Sequence, residues 1–331
     1  MKKILVTGGA GYIGSSLLPV LLKKYKVLCV DKLDFGGESL LGVWHDPNFE
    51  FLRLDLMDFE GVEQLFKQHS FDAVIHLAAI VGDPACAIDS KHATQVNWDA
   101  SKYLLDACIK AGVARFVFAS TCSNYGKMSD SNTYVTEESA LAPVSLYAEL
   151  KVKFENYMLN EIPRSAGFSP TALRFSTVYG ASPRMRFDLT VNEFTKQLVQ
   201  AKELVIFGEQ FWRSYCHVKD FAAAFIAVLE ADSAKVAYEV FNVGDTDENY
   251  TKKMLVDEIK KYIPDAKVSY VQRTEDPRDY RVCSDKIKRV LGFEISMRVS
   301  DGIREVKEML ESRVIQDPEN QRYYNIPHEV S

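Results

Sequence analysis

Short apolar runs alternate with longer stretches of helical periodicity through the first half of the chain. Runs of β character fall at residues 3–7, 26–30, 50–53, 73–76, 115–119 and 171–175. Between them, apolar positions recur at helical spacing over 13–24, 61–68, 93–111 and 146–161. Strands apolar on both faces and separated by helices predict parallel βαβ units, hence an α/β fold with a doubly wound parallel sheet. Pro163 supplies a stop for the fourth helix. Pro19 falls inside the first, where it is expected to remove a hydrogen bond and kink the helix.

After about Val178 the rhythm changes. Residues 182–188 read as a loop, 191–201 as a helix and 204–207 as a short strand. A helix is expected over 221–230, capped by Asp220, and a further sheet strand over 239–243. No internal repeat or low-complexity linker interrupts the chain. The expected division is a first domain of 1–177, to which 217–245 return, and a smaller mixed α/β domain woven from 178–216 and 246–331.

Composition narrows the class. The 331 residues are 47% hydrophobic, enough for a large core and unlike a disordered chain. A formal charge of −6 supplies no global basic field for nucleic acid or an anionic membrane. No apolar run approaches the roughly 18 residues needed to span a bilayer. The apolar start is cut short by Thr7-Gly8-Gly9, which argues against a signal peptide. Six cysteines lie scattered without metal-ligand spacing, so free thiols in a cytoplasmic protein are expected.

The first strand runs into Thr7-Gly8-Gly9-Ala10-Gly11-Tyr12-Ile13-Gly14. Glycines at 8, 11 and 14 let backbone N–H groups approach a diphosphate, and the helix opening at Tyr12 and Ile13 offers its positive end. Asp31 closes the second strand, 22 residues after Gly9. A carboxylate there accepts from the adenosine ribose and repels a 2′-phosphate, favouring NAD over NADP. Asp55-Leu56 follows the third strand; Asp55 either faces the adenine or caps the next helix. Leu77-Ala78-Ala79 lets the chain pass close to the cofactor. Asn97, in the next helix, is a candidate cofactor contact or a solvated polar residue.

Tyr147 and Lys151 share a helix face, downstream of Ser120-Thr121 at a strand end. A free phenol has a pKa near 10, so only about 0.1% is ionised at neutral pH. An ammonium roughly 4 Å away contributes about 4 kcal/mol at an effective dielectric near 20, or about three pKa units. Tyr147 is therefore expected to act as a base near pH 7, before desolvation takes some of that shift back, with Thr121 holding the substrate hydroxyl.

These segments, with Ser120-Thr121-Cys122-Ser123-Asn124-Tyr125-Gly126 and Tyr147-Ala148-Glu149-Leu150-Lys151, resemble the extended short-chain dehydrogenases/reductases. The closer resemblance is to the NAD-dependent nucleotide-sugar epimerases and dehydratases. It implies a Rossmann-type cofactor domain and a catalytic set of Thr121, Tyr147 and Lys151. Lys151 would also hold the nicotinamide ribose, and Gly8, Gly11, Gly14 and Asp31 would bind NAD. In the second half, Leu173-Arg174-Phe175 and the segment Arg213 to Asp220 resemble the family's substrate side. There Arg213, and Arg278 within 275–278, would pair with a nucleotide diphosphate. Ser123, Thr177, Phe187 and Asn192 are further candidate substrate contacts. His76 and His217 are expected to be structural.

Departures refine the resemblance. Ser176-Thr177 stands where many members carry an asparagine after the Leu-Arg-Phe strand. Cys122-Ser123 follows Thr121 where 4,6-dehydratases carry Asp-Glu, which argues against water elimination. A reductase/3,5-epimerase would place cysteine at 123 rather than 122. The reading is oxidation at C4 of a nucleoside-diphosphate sugar, with 4-epimerisation preferred as redox-neutral. A C4 dehydrogenase, a 4-keto sugar reductase/3,5-epimerase and a non-catalytic NAD-binding scaffold are the alternatives. By resemblance the substrate belongs to polysaccharide biosynthesis. A homodimer through helices 93–111 and 146–161 is also expected by resemblance, with a self-complementary interface.

Overall fold

The computed structural model describes residues 1–128, 133–272 and 278–327. Twelve strands run through them: β1 (Lys3–Thr7), β2 (Lys26–Asp31), β3 (Phe49–Arg53), β4 (Ala73–His76), β5 (Arg115–Thr121), β6 (Ser169–Phe175), β7 (Thr177–Tyr179), β8 (Leu204–Phe207), β9 (Trp212–His217), β10 (Glu239–Val243), β11 (Asn249–Thr251) and β12 (Val268–Val271). Seven form one parallel sheet in the order β10-β6-β5-β4-β1-β2-β3. The chain winds outward from β1 to β3, then crosses back to β4 and continues the other way. The sense of winding therefore switches between β1 and β4, where a crevice opens at the carboxyl ends of the strands.

The period of two along each strand feeds two cores. Ile4, Val6, Val27 and Cys29 pack under the helices Tyr12–Leu21 and Val218–Glu230. Leu5, Leu28, Val30 and Val74 pack under Phe59–Gln68, Ser101–Lys110 and Leu146–Asn156. A three-stranded sheet, β11-β9-β7, and a two-stranded sheet, β12-β8, lie beside this layer. They share a further core with the helices Thr190–Val199, Lys252–Lys260 and Val299–Glu311.

The structure alters several expectations. The first helix continues through Pro19 to Leu21. Pro19 is on the exposed face, where water can serve the carbonyl that loses its donor. The helix expected from Phe221 begins at Val218, and the His217 ring accepts from Lys219 N as its cap. Asp220 lies buried in the first turn and instead accepts from Ser296 and Met297. The stretch expected as one helix over 93–111 contains a wide π-turn at Gln95–Ala100. Strand β9 replaces what read only as a substrate-side motif.

Candidate functional site

A cleft of about 240 Å³ opens at the switch point between β1 and β4. The glycine-rich turn forms its floor. Gly8 has φ +75°, and a Cβ there would stand 2.6 Å from Ala78 N, so only glycine fits. A Cβ on Gly14 would meet Gly8 O at 2.5 Å, which explains the close seating of helix on turn. The helix Tyr12–Leu21 has no side-chain cap on its first turn, leaving its N-terminal N–H groups available to an anion. Gly8, Gly11, Tyr12, Ile13 and Gly14 all line the cleft.

Asp31 lines the same cleft at the end of β2. Its carboxylate accepts from Ala10 N at 3.0 Å and Leu33 N at 2.8 Å. Burial raises its pKa despite those bonds, while lone pairs remain for ribose hydroxyls. Lys32 is drawn away toward acids, 2.8 Å from Asp34 and 4.0 Å from Asp55. Asp55 and Leu56 line the cleft. Asp58, not Asp55, caps the helix Phe59–Gln68, which settles the two readings of Asp55 in favour of the cleft wall. Leu77, Ala78 and Ala79 form the wall beneath β4. Glycine cradle, bare helix end and the carboxylate at the end of β2 together fit a dinucleotide.

Thr121, Tyr147 and Lys151 line the other end of this cleft. Thr121 ends β5, and its hydroxyl oxygen accepts from Ser123 N at 3.1 Å, so its proton stays available for a ligand. Ser145 caps the helix carrying the other two by accepting from Ala148 N. The Lys151 ammonium donates to Ala119 O at 2.8 Å and lies 4.6 Å from the Phe118 ring centroid. Its distance to the Tyr147 ring centroid is 5.9 Å.

The expected lowering of the tyrosine does not hold in the free protein. Burial pushes the Tyr147 hydroxyl well above its ordinary value, and Cys86 and Asp83 add to that. Burial also brings Lys151 down to about 7. Desolvation is the largest cause of both shifts.

Other candidates fall outside the cleft wall. Asn97 is neither solvated nor in the wall. It is buried, and its amide clasps the Ile80 backbone, accepting from N at 2.8 Å and donating to O at 2.9 Å. It holds the turn after β4, with the π-turn aiming it there. Asn192 is fully buried, accepting from Gly180 N at 2.9 Å and donating to Arg186 O at 2.9 Å. Phe187 is fully buried against Tyr323 and the core around Tyr12. Both shape the 180–187 loop from inside, because its apolar face turns inward.

Ser123 belongs to the short turn after β5, and Thr177 opens β7 opposite Tyr215; neither lines the cleft. Arg213 donates to Trp212 O at 2.6 Å and lies over Tyr280. Arg278 pairs with Asp83 at 2.9 Å; the neighbouring residues 275–277 of its motif lie outside the described residues. His76 is buried between Thr7 at 2.8 Å and Ser101 at 2.9 Å, and burial lowers its pKa to about 3. His217 meets Glu305 at 2.8 Å. Both histidines are structural, as expected. Cys122 is buried with its thiol on Arg174 O, and burial pushes it up to about 12, so it is no ready acid. Among the described residues no group of three or more acids, histidines or cysteines could hold a metal, and no helix is long and apolar enough to cross a membrane.

Sequence reasoning assigned no role to the polar wall residues of the second half, Ser176, Arg184, Arg186 and Asn325, nor to the apolar Phe175, Val178 and Phe221. The density of arginines at 184 and 186 was the only signal available, and it looked like an exposed loop. Arg186 forks onto Asp188 at 2.9 and 2.8 Å.

A parallel sheet with this crevice and cradle defines a dinucleotide-binding enzyme fold of the Rossmann type. Residues 4–244 match the family described as the NAD dependent epimerase/dehydratase family. The chain belongs to that family, within the extended short-chain dehydrogenases/reductases, and NAD is its cofactor. A Bacillus subtilis protein described as an uncharacterized UDP-glucose epimerase is 35% identical over 69% of this chain and 72% of its own length. A dTDP-glucose 4,6-dehydratase from an Actinoplanes species is 29% identical over 92% of this chain and 96% of its own. The structure of UDP-glucuronic acid 4-epimerase from Bacillus cereus, with UDP-glucuronic acid and NAD, is 26% identical. It superimposes with a TM-score of 0.81 over 94% of this chain and 99% of its own.

Proposed function

We propose that the protein is a nucleotide-sugar 4-epimerase, working through NAD-dependent oxidation at C4 of a nucleoside-diphosphate sugar. The observation that carries this reading is that Thr121, Tyr147 and Lys151 share one cleft with the glycine cradle and Asp31. Bound NAD supplies a hydride acceptor and a cationic nicotinamide ring beside the acid–base residues. Thr121 donates to the C4 oxygen and Tyr147 removes its proton. Lys151, together with the positive charge that bound NAD would supply, would offset the burial that keeps the phenol protonated in the free protein. Once the 4-keto sugar turned over in the site, Tyr147 would return the proton to the C4 oxygen as the other face is reduced. This cycle is redox-neutral and needs no second oxidant.

Water elimination would need an acid and a base near C5 and C6 of the sugar. The acids in the cleft wall, Asp31, Asp34 and Asp55, belong to the β2 and β3 end. Cys122 and Ser123 follow Thr121, and the Cys122 thiol is buried. Asp83, whose charge acts on Tyr147, accepts from the Ser145 hydroxyl at 2.6 Å, a bond that does not depend on Arg278.

In this reading residues 1–177 and 217–245 serve the cofactor, while 178–216 and 246–331 receive the nucleotide sugar. Arg213 and Arg278 turn to its diphosphate, with Ser123 and Thr177 at the sugar side. The working unit is a cytoplasmic homodimer, and a monomeric mass by light scattering at micromolar concentration would contradict that assignment. Tyr147→Phe tests the chemistry. The variant keeps NAD and loses turnover of the sugar nucleotide by about 10²–10⁴-fold; near-normal turnover would remove Tyr147 from the mechanism.

A further inference from the structure

Four cations stand in the wall of the NAD cleft: Lys32, Lys151, Arg184 and Arg186. Lys32 and Arg186 are paired with acids, and Lys151 donates to a carbonyl. Arg184 differs. It is only 6% exposed, yet its Nε and Nη2 have no hydrogen-bond partner among the described residues. A buried guanidinium without acceptors is costly. Burial and the neighbouring Arg186 hold its pKa down at about 10, the direction expected of a cation short of anions.

The position of Arg184 says which anion would serve it. Its backbone N donates to Ser15 Oγ at 3.3 Å, and Ser182 Oγ donates to Tyr12 O at 2.7 Å. The loop thus sits on the first turn of Tyr12–Leu21, whose uncapped end faces the cleft. The guanidinium lies 4.2 Å from the centroid of Phe35, in the segment that follows Asp31. Arg184 thus lines the same cleft as the uncapped helix end and Asp31, from a loop seated on that helix's first turn. The C-terminal segment clasps the loop here: Phe187 N donates to Tyr323 O at 3.0 Å, and Asn325 N to Asp188 at 3.2 Å. Asn325 brings a second buried, unpartnered atom, its Oδ1, to the same wall.

We propose that Arg184, from the second half of the chain, grips the diphosphate of bound NAD, so that the loop clasped by the C-terminal segment forms an outer clamp on the cofactor. The glycine turn holds the diphosphate through backbone N–H groups, and Arg184 adds the countercharge that the turn lacks. Cofactor release then requires this loop to lift.

The test is NAD binding by stripped protein, measured calorimetrically. Arg184→Met keeps the stem and its packing on Phe35 but removes the charge. It is expected to weaken NAD and ADP-ribose at least tenfold, with the loss shrinking at high salt. The NAD-free melting temperature is expected to hold or rise, because the uncompensated buried charge is gone. An NAD affinity within threefold of the unaltered protein, or a loss independent of salt, overturns the proposal. A second readout uses the unaltered protein with isotopically labelled arginine. The Nε–H signal that disappears in Arg184→Lys should move on adding ADP-ribose; a signal that stays in place overturns the proposal even if Arg184→Met fails to fold.

Discussion

Glu155→Gln is expected to destabilise the protein sharply, although Glu155 never faces the cleft. The residue is 3% exposed and Arg174 is 4% exposed. Arg174 Nε lies 3.1 and 3.2 Å from the two carboxylate oxygens, and Nη2 also pairs with Glu155. Ser120 Oγ donates to Glu155 at 2.8 Å, one residue before Thr121. Arg174 Nη1 continues the network to Tyr125 OH at 2.9 Å, and Tyr125 donates to Asn242 at 2.7 Å. Removing one charge leaves the other buried and uncompensated, at a cost of about 3–5 kcal/mol. Gln retains an acceptor, so the lower end, about 3 kcal/mol, applies. At about 2.1 cal/mol/K of unfolding entropy per residue, that corresponds to a fall in melting temperature of roughly 4–5 °C for this chain.

Replacing both partners tests the reasoning. Glu155→Leu with Arg174→Met removes both charges, and the pair is expected to lie within about 1–2 kcal/mol of the unaltered protein. The residual cost is the Ser120 hydroxyl, which loses its acceptor. Thermal and urea unfolding of the two singles and the double close a mutant cycle. A Glu155→Gln loss below about 1 kcal/mol, or a double equal to the sum of its singles, would refute the argument.

Lys151→Met is expected to stabilise the free protein at pH 6 by a few kcal/mol, although it destroys turnover. Folding lowers the lysine from 10.5 to about 7, so between those values the unfolded chain binds more protons and stability rises with pH. The penalty is complete below pH 7 and gone above 10.5, so the gain should fade across that window; a gain unchanged from pH 6 to 10 would contradict the burial argument. Asp31→Ser is expected to weaken NAD roughly tenfold while leaving NADP nearly unchanged, because the ribose acceptor goes and the repulsion of a 2′-phosphate goes with it. Isothermal titration with both dinucleotides decides this, and an unchanged NAD affinity would remove Asp31 from the ribose.

The parallel sheet was legible because its strands are short apolar runs between helices, and the predicted 204–207 and 239–243 match β8 and β10. The cradle was legible because only glycine suits its backbone, and Tyr147 and Lys151 because helical spacing fixes a shared face. What failed depends on tertiary burial. Asn192 and Phe187 lie next to a loop of the cleft, but the chain turns their side chains inward, and sequence carries no sign of that turn. Asn97 reads as solvated until the π-turn rotates it under Ile80. The net shift of the tyrosine in the free protein is upward, because burial, whose size the sequence does not carry, dominates it. Arg184 and Asn325, 141 positions apart, meet at the cleft only through long-range packing.

The most direct test of the central claim is NMR of products formed in heavy water from a panel of UDP-, GDP-, dTDP- and CDP-sugars with added NAD. The account predicts that one sugar inverts at C4 without taking up deuterium and without accumulating NADH. A 4-keto sugar formed with stoichiometric NADH, a 4-keto-6-deoxy product, or deuterium at C3 or C5 would contradict it.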